Sequence, residues 1–250
     1  MRSSKNRIRA PLSWPARPAR WLFAGMLALL GAAPLSAAGP ADAAECKRPP
    51  RAGIDWSDCA RTNLILSGAD LARAKLERAD FTLTDLSGST LTSAKLEKAT
   101  LVRASLAGAS AVEADFTKVE AYRANFSRMS AARATFRSAE LQRADFTGAD
   151  LTQTDFEKAE LSRANFTEAV LREVRFDYAN LARADLRQAR IVGPIDLSHA
   201  FMFLTRIEGA DLSAATGLSQ EQADMACGNA GTRLPEGVSR PAVWPCTGDE

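Results

Sequence analysis

The sequence predicts an all-β protein of one architecture, a quadrilateral parallel β-helix closed by a short C-terminal helical cap. Three observations carry this expectation. Apolar residues, mostly Leu and Phe, recur at every fifth position from Leu66 to Ile191 without a slip. Like residues then recur at twenty, as in Arg103, Arg123, Arg143, Arg163 and Arg183. All four cysteines, Cys46, Cys59, Cys227 and Cys246, lie outside this regular stretch, two before it and two after.

The chain opens with Arg2, Lys5, Arg7, Arg9, Arg17 and Arg20 and no acid among them, followed by an apolar run from Trp21 to about Leu30. A basic segment, an apolar segment and the small-residue triplet Ala41-Asp42-Ala43 make the pattern of a secretory signal peptide. Residues 1–43 are therefore expected to be a leader cleaved near Ala43, which places the mature chain in the periplasm or outside the cell. The apolar run is short for a bilayer span, so no membrane span is expected in the mature form. Without the leader the chain holds 26 basic and 29 acidic side chains, and the basic balance of the whole belongs to the leader. That removes the charge argument for nucleic-acid binding.

Residues 44–63 are expected to cap the first coil, with Trp56 covering apolar edges. An even number of cysteines in an exported chain favours disulfides. Three pairings are possible, and Cys46 with Cys59 and Cys227 with Cys246 is preferred because each closes a short loop at one end. There is no C-x-x-C spacing and a single histidine, His199, so no metal site is expected.

The repeat, residues 64–212, explains itself by spacing. A helix carries a period of five to a new face each time, and a strand flips it at every repeat, so neither common element suits it. The 26 centres from Leu66 to Ile191 comprise 14 Leu, 8 Phe, 3 Ala and 1 Ile, and 19 of them have Ala two residues earlier. A step of two keeps both side chains on one face of an extended segment, while the step of three that follows requires a corner. Four such corners close a square coil in which residues twenty apart stack. Phe116, Phe136, Phe156 and Phe176 then form one interior column, with Phe126, Phe146 and Phe166 opposite. Ala111, Ala121 and Ala131 make room where the Phe columns begin.

The triplets Ala69-Asp70-Leu71, Ala79-Asp80-Phe81, Ala144-Asp145-Phe146, Ala164-Asn165-Phe166 and Ala184-Asp185-Leu186 match the motif A-(D/N)-L-x-x, and over this stretch the chain resembles the pentapeptide-repeat family. The resemblance implies a right-handed coil. It also brings in a function, because some members of that family resemble duplex DNA and protect DNA gyrase from quinolones. Residues 61–215 hold 21 basic and 21 acidic side chains, and mimicry of DNA needs a strongly negative face.

After the repeat, residues 192–197 slip the phase by one, read as a bulge or small loop at a corner where Pro194 costs no ladder bond. The fives resume at Leu197, Met202, Ile207 and Leu212. Residues 213–250 are expected to form the C-terminal cap, with a capping box at Ser219 and Gln222 opening a helix of about Ser219 to Ala226. Trp244 and Cys246 would tie the tail across the last coil.

Chemistry is sparse. Asp145, Asp150 and Asp155 fall on three successive sides and cannot share a proton or metal. His199 has no triad spacing around it, and neither a nucleophile elbow nor a phosphate-binding or dinucleotide fingerprint is present. Tyr122 and Tyr178 are expected as exposed aromatics without a role. No enzymatic activity, cofactor, small-molecule substrate or nucleic-acid partner is expected. The arginine column at roughly 5 Å intervals is the sharpest surface feature, and two readings stand for it. It could grip anionic envelope polymers, or Glu120, Glu140 and Glu160, with Asp145 and Asp185 around the corner, could neutralise it as an ion-pair ladder. The function expected is an interaction scaffold for an unknown protein or envelope component, as a monomer or an end-to-end dimer.

Overall fold

The computed structural model describes residues 45–246, and the expected leader lies outside them. Each five-residue unit settles the same hydrogen-bonding problem in the same way. In the unit centred on Phe116, the Phe116 N–H donates to Thr135 O at 2.7 Å and the Lys118 N–H to Arg137 O at 2.9 Å, both one coil ahead. The Glu120 N–H donates back to Ala99 O at 3.0 Å, and the Val119 N–H closes the corner on Phe116 O at 3.2 Å. That leaves the Thr117 N–H, which donates to the Asp115 carboxylate at 2.9 Å. The same side-chain bond recurs at Asp80, Asn125, Asp145, Asp150, Asn165 and Asp185. The preference for Asp or Asn just before each centre thus has a backbone cause: a short carboxylate or amide accepts from the N–H two residues on.

Every corner from Gly53 to Gly209 also takes a positive φ at the second residue after the centre, 57° at Lys118 and 56° at Arg123. A left-handed conformation costs an L-residue about 1–2 kcal/mol. Gly stands at some corners, Gly108 at 67° among them, but Arg, Lys, Glu, Gln and Ser occupy most. No Val, Ile or Thr stands at positive φ among the described residues, as the branched Cβ would clash there.

The sides of the coil join in parallel, residue to residue twenty apart, from Asp55 with Lys75 to Asn165 with Asp185. Strands β1 (Val170–Leu171) and β2 (Arg190–Ile191) pair in the same register. One extra residue then enters at 192–195, where Gly193 takes φ 82°, and the pairing moves to twenty-one, as in Asn180 with Phe201 and Asp185 with Arg206. The interior holds the centres and the residues two before them, including all seven phenylalanines of the two columns, fully buried. Within a column the rings stack at centroid separations of 4.5–5.4 Å, and across the lumen they meet edge to face at 5.6–6.2 Å. Both geometries are favourable for aromatic pairs.

The coil is longer than the expected repeat at both ends. Asp55 and Ala60 already pair with the next coil, and Trp56 is fully buried within the first one, 6.5 Å from Phe81. Trp56 is therefore a rung centre and not a cover. The covering group is Arg61, at a centre position, whose guanidinium lies 3.8 Å from the Trp56 ring and donates to Cys46 O at 2.5 Å. Cys46 and Cys59 are joined by a disulfide across this end, with Cα atoms 5.5 Å apart.

At the other end pairing runs on to Cys227 and Arg233. Helix α1 (Gln220–Met225) is inserted into that last coil, opened by Ser219 and Gln222 as a reciprocal capping box. The buried Gln222 amide also donates to Leu197 O at 2.7 Å and Ala200 O at 2.8 Å, which fastens the helix over the final rungs. A second disulfide joins Cys227 to Cys246, and the Trp244 indole N–H donates to Ala226 O at 2.7 Å.

Candidate interaction surface

Stacking every twenty residues turns each outward position into a column, and that decides which charges can meet. Several acids and bases that share a column pair along it, although Lys95 and Asp115, also one coil apart, do not. Arg78 meets Asp58 at 2.6 Å, Arg133 meets Glu113 at 2.9 Å and Lys75 meets Asp55 at 3.3 Å, each pair one coil apart. Lys98 and Lys158, in the same corner column as Arg78, find Glu97 and Glu157 at 3.1 and 2.9 Å.

The column of Arg103, Arg123, Arg143, Arg163 and Arg183 is different. All five occupy corner positions, at φ between 55° and 61°, and all are exposed. The position one coil away from each is another arginine, or Leu83 and Leu204 at the two ends of the row, so no acid stands in register. Among the described residues no carboxylate lies within ion-pair distance of Arg103, Arg123, Arg143 or Arg163. Arg123 instead lies 5.2 Å from the ring of Tyr122.

The expected ion-pair ladder is thus absent for these four. Glu120, Glu140 and Glu160 stand in the middle of the adjoining side and pair through their backbones with one another. Glu160 accepts from the Asn180 amide at 2.8 Å. Around the corner, Asp145 accepts from the Thr147 N–H at 3.0 Å, and Asp185 is engaged by Arg187 at 2.6 Å. The cause is geometric: Glu120 and Glu140 stand at mid-side, out of register with the corner, and Glu160, Asp145 and Asp185 are engaged by column partners or local bonds. The result is a row of like charges at the coil spacing, which is unfavourable by itself.

Asp145, Asp150 and Asp155 lie in different ladders, paired with Asn125, Ser130 and Thr135, and do not converge. One of them does meet other acids: Asp155, Glu157 and Asp177 bring a carboxylate oxygen each to within 4.8 Å of one another. Three bases occupy this group. Arg175 pairs with Asp155 at 3.2 Å and Asp177 at 3.1 Å, Lys158 pairs with Glu157 at 2.9 Å, and Arg137 bridges Asp155 and Glu157. Hydrogen bonding from Lys158 holds the Glu157 carboxyl below the usual range. The cluster is charge-matched by protein groups and needs no cation. His199 stacks on Tyr178 at 4.5 Å, at the same corner as Lys158.

The sequence reading missed Phe201 and Phe203. They are 48% and 46% exposed, stack at 6.3 Å, and sit one coil beyond Asn180 and Ala182, at the end of the arginine row. Leu83 (49%) stands in the same column as the arginines and Tyr122 (38%) and Phe203 beside it, while Phe201 continues the column of Glu120, Glu140 and Glu160 in the middle of the adjoining side. The signal was present, since counting the phase slip puts 201 and 203 at outward positions.

The family model described as "Pentapeptide repeats" matches in eight copies lying between residues 65 and 191, which is more than half of the chain. No curated protein matches it. Among solved structures it is similar to HetL, a pentapeptide repeat protein involved in heterocyst differentiation regulation from the cyanobacterium Nostoc sp. strain PCC 7120, at 25% identity over 74% of this chain and 91% of that one, TM-score 0.32. It is similar to QnrB1, a plasmid-mediated fluoroquinolone resistance protein, at 21% identity over 71% of this chain and 90% of that one, TM-score 0.46. A pentapeptide repeat protein of the Arabidopsis thaliana thylakoid lumen matches at 24% identity over 52% of this chain and 70% of its own, TM-score 0.14.

Proposed function

Starting from the fact that the chain belongs to the pentapeptide-repeat family, whose members form right-handed quadrilateral β-helices, we propose that it is a non-enzymatic exported scaffold. Its arginine corner would hold an anionic partner. The observation that carries this reading is the run of Arg103, Arg123, Arg143 and Arg163, four successive coils without a carboxylate within ion-pair distance among the described residues. Three bases in other columns are neutralised one coil away at 2.6–3.3 Å. Although single bases among the described residues such as Lys118 and Arg128 also lack an acid, only here do four successive coils stack unneutralised arginines into one line that an external anion can bridge. Guanidiniums suit phosphate and carboxylate oxygens, which they bind through paired N–H donors. Export is supported by the leader pattern at residues 1–43 and by a disulfide at each end of the coil.

Binding of a soluble polyanion, inorganic polyphosphate, tests this reading. The wild-type protein is expected to bind, and the variant Arg123→Gln, Arg143→Gln, Arg163→Gln to lose binding. The control Lys75→Gln, Arg78→Gln, Arg133→Gln removes the same charge from bases that already have acids and should bind as wild type does. Equal loss in both variants would return the row to ordinary surface charge. Mimicry of DNA toward a gyrase-like partner is the poorer reading, because a basic corner repels what DNA attracts.

A further inference from the structure

We infer that the anionic partner is a lipid surface, and that the solenoid lies lengthwise on an anionic membrane with its arginine corner down. This rests on the anion-binding reading of that corner and adds what the apolar residues contribute. A soluble polyanion would be served by arginines alone. The row here ends in apolar residues on both sides, with Leu83 one coil before Arg103 and Leu204 one coil after Arg183. Tyr122 stands beside Arg123 and Phe203 beside Leu204 at the far end, with Phe201 stacked on Phe203 from the adjoining Glu side, and Leu83, Tyr122, Phe201 and Phe203 are between 38% and 49% accessible. Basic residues at the level of lipid headgroups, with aromatic and leucine side chains beside them, are the composition of a surface that rests on an anionic bilayer.

The corner geometry suits this use. A convex edge of a rigid rod presents one column at its apex while the flanking sides recede. Glu120, Glu140 and Glu160 stand in the middle of one receding side, whose column ends in Phe201, and Asn125, Asp145, Asn165 and Asp185 on the other, so headgroup phosphates would meet arginine first, and of the phenylalanine pair Phe203 lies nearer the apex. The opposite end of the Glu side carries Lys98, Lys118 and Lys158, but Lys98 and Lys158 have acids of their own. The single apolar group at that corner is the Tyr178 and His199 stack.

The test compares the protein's partition onto vesicles of phosphatidylcholine alone, onto vesicles with about a third phosphatidylglycerol, and its affinity for inorganic polyphosphate. Two variants are used: Arg123→Gln, Arg143→Gln, Arg163→Gln, and Phe201→Ser, Phe203→Ser. The two phenylalanines are half exposed outside the coil, so the second variant should keep the wild-type circular dichroism. Wild type is expected to bind only the anionic vesicles. The arginine variant should bind them roughly a hundredfold more weakly and the phenylalanine variant about tenfold more weakly, while polyphosphate affinity falls in the arginine variant alone. Binding to polyphosphate without binding to vesicles would overturn the lipid assignment and leave the anionic-partner reading standing. Binding to neither would overturn both. Vesicle binding that ignores the phenylalanines, or a dimer in solution that dissolves when they are replaced, would show that the pair serves another purpose and would sink this docking mode.

Discussion

Replacing Arg143 by glutamate should stabilise the protein while it abolishes anion binding. Arg143 lies between Arg123 and Arg163, each one coil away. At two other corners the same one-coil relation gives ion pairs at 2.6 and 2.9 Å, so Arg143→Glu is placed to pair in both directions. Exposed pairs of this kind contribute about 0.2–1 kcal/mol each, and two of them give about 0.4–2 kcal/mol, with relief of like-charge repulsion acting the same way. The position tolerates the residue, since Glu113, Glu168 and Glu173 hold φ of 59°, 61° and 54° at the equivalent place in other corners. Urea unfolding at low ionic strength should show the gain as a raised midpoint. It should shrink in about 1 M salt, where charges are screened beyond roughly 3 Å. A variant no more stable than wild type at low salt would mean that the row is already neutralised, and the reasoning for an external counter-charge would fall with it.

Three further outcomes follow from the coil. Asp145→Ala should cost about 1 kcal/mol in urea unfolding because the Thr147 N–H loses its acceptor at 3.0 Å, whereas Asp145→Asn should cost much less, as Asn165 fills the same role at 3.0 Å. The carboxyls of Asp85 and Asp211 are held below the usual carboxylate range by hydrogen bonds from Ser87 and Ser213. Their contribution is complete above the unfolded value and disappears as pH falls through the lower folded values. The unfolding midpoint should accordingly stay flat from about pH 6 to 5 and drop below about pH 4, and a rise on acidification would contradict the assignment. Gly228→Ala would place a Cβ inside the Trp244 ring. It should loosen the C-terminal cap by about 1–3 kcal/mol and red-shift part of the tryptophan emission, leaving the buried Trp56 unaffected.

The interior was legible in the sequence because it repeats: Leu and Phe at fives must share an inside, and arginines at twenties must share a corner. What lay at the ends was harder to read. Trp56 and Arg61 are rung centres of unusual type, so the coil was expected to begin near residue 64, and the helix inserted before Cys227 hid the pairing that continues to Arg233. The fate of the arginine row was not readable either. Glu120 and Arg123 are three letters apart, yet a mid-side and a corner position are not partners, and proximity in sequence suggested a ladder that coil geometry does not form. Phe201 and Phe203 were overlooked because their exposure depends on the single extra residue at 192–195.

Arginine-directed dicarbonyl labelling, read residue by residue by mass spectrometry with and without anionic vesicles, bears most directly on the arginine corner. The predicted result is fast labelling of Arg103, Arg123, Arg143 and Arg163 in the free protein and their protection on binding, with Arg78 and Arg133, already paired to Asp58 and Glu113, unchanged. Protection spread evenly over the surface, or centred on another corner, would contradict it.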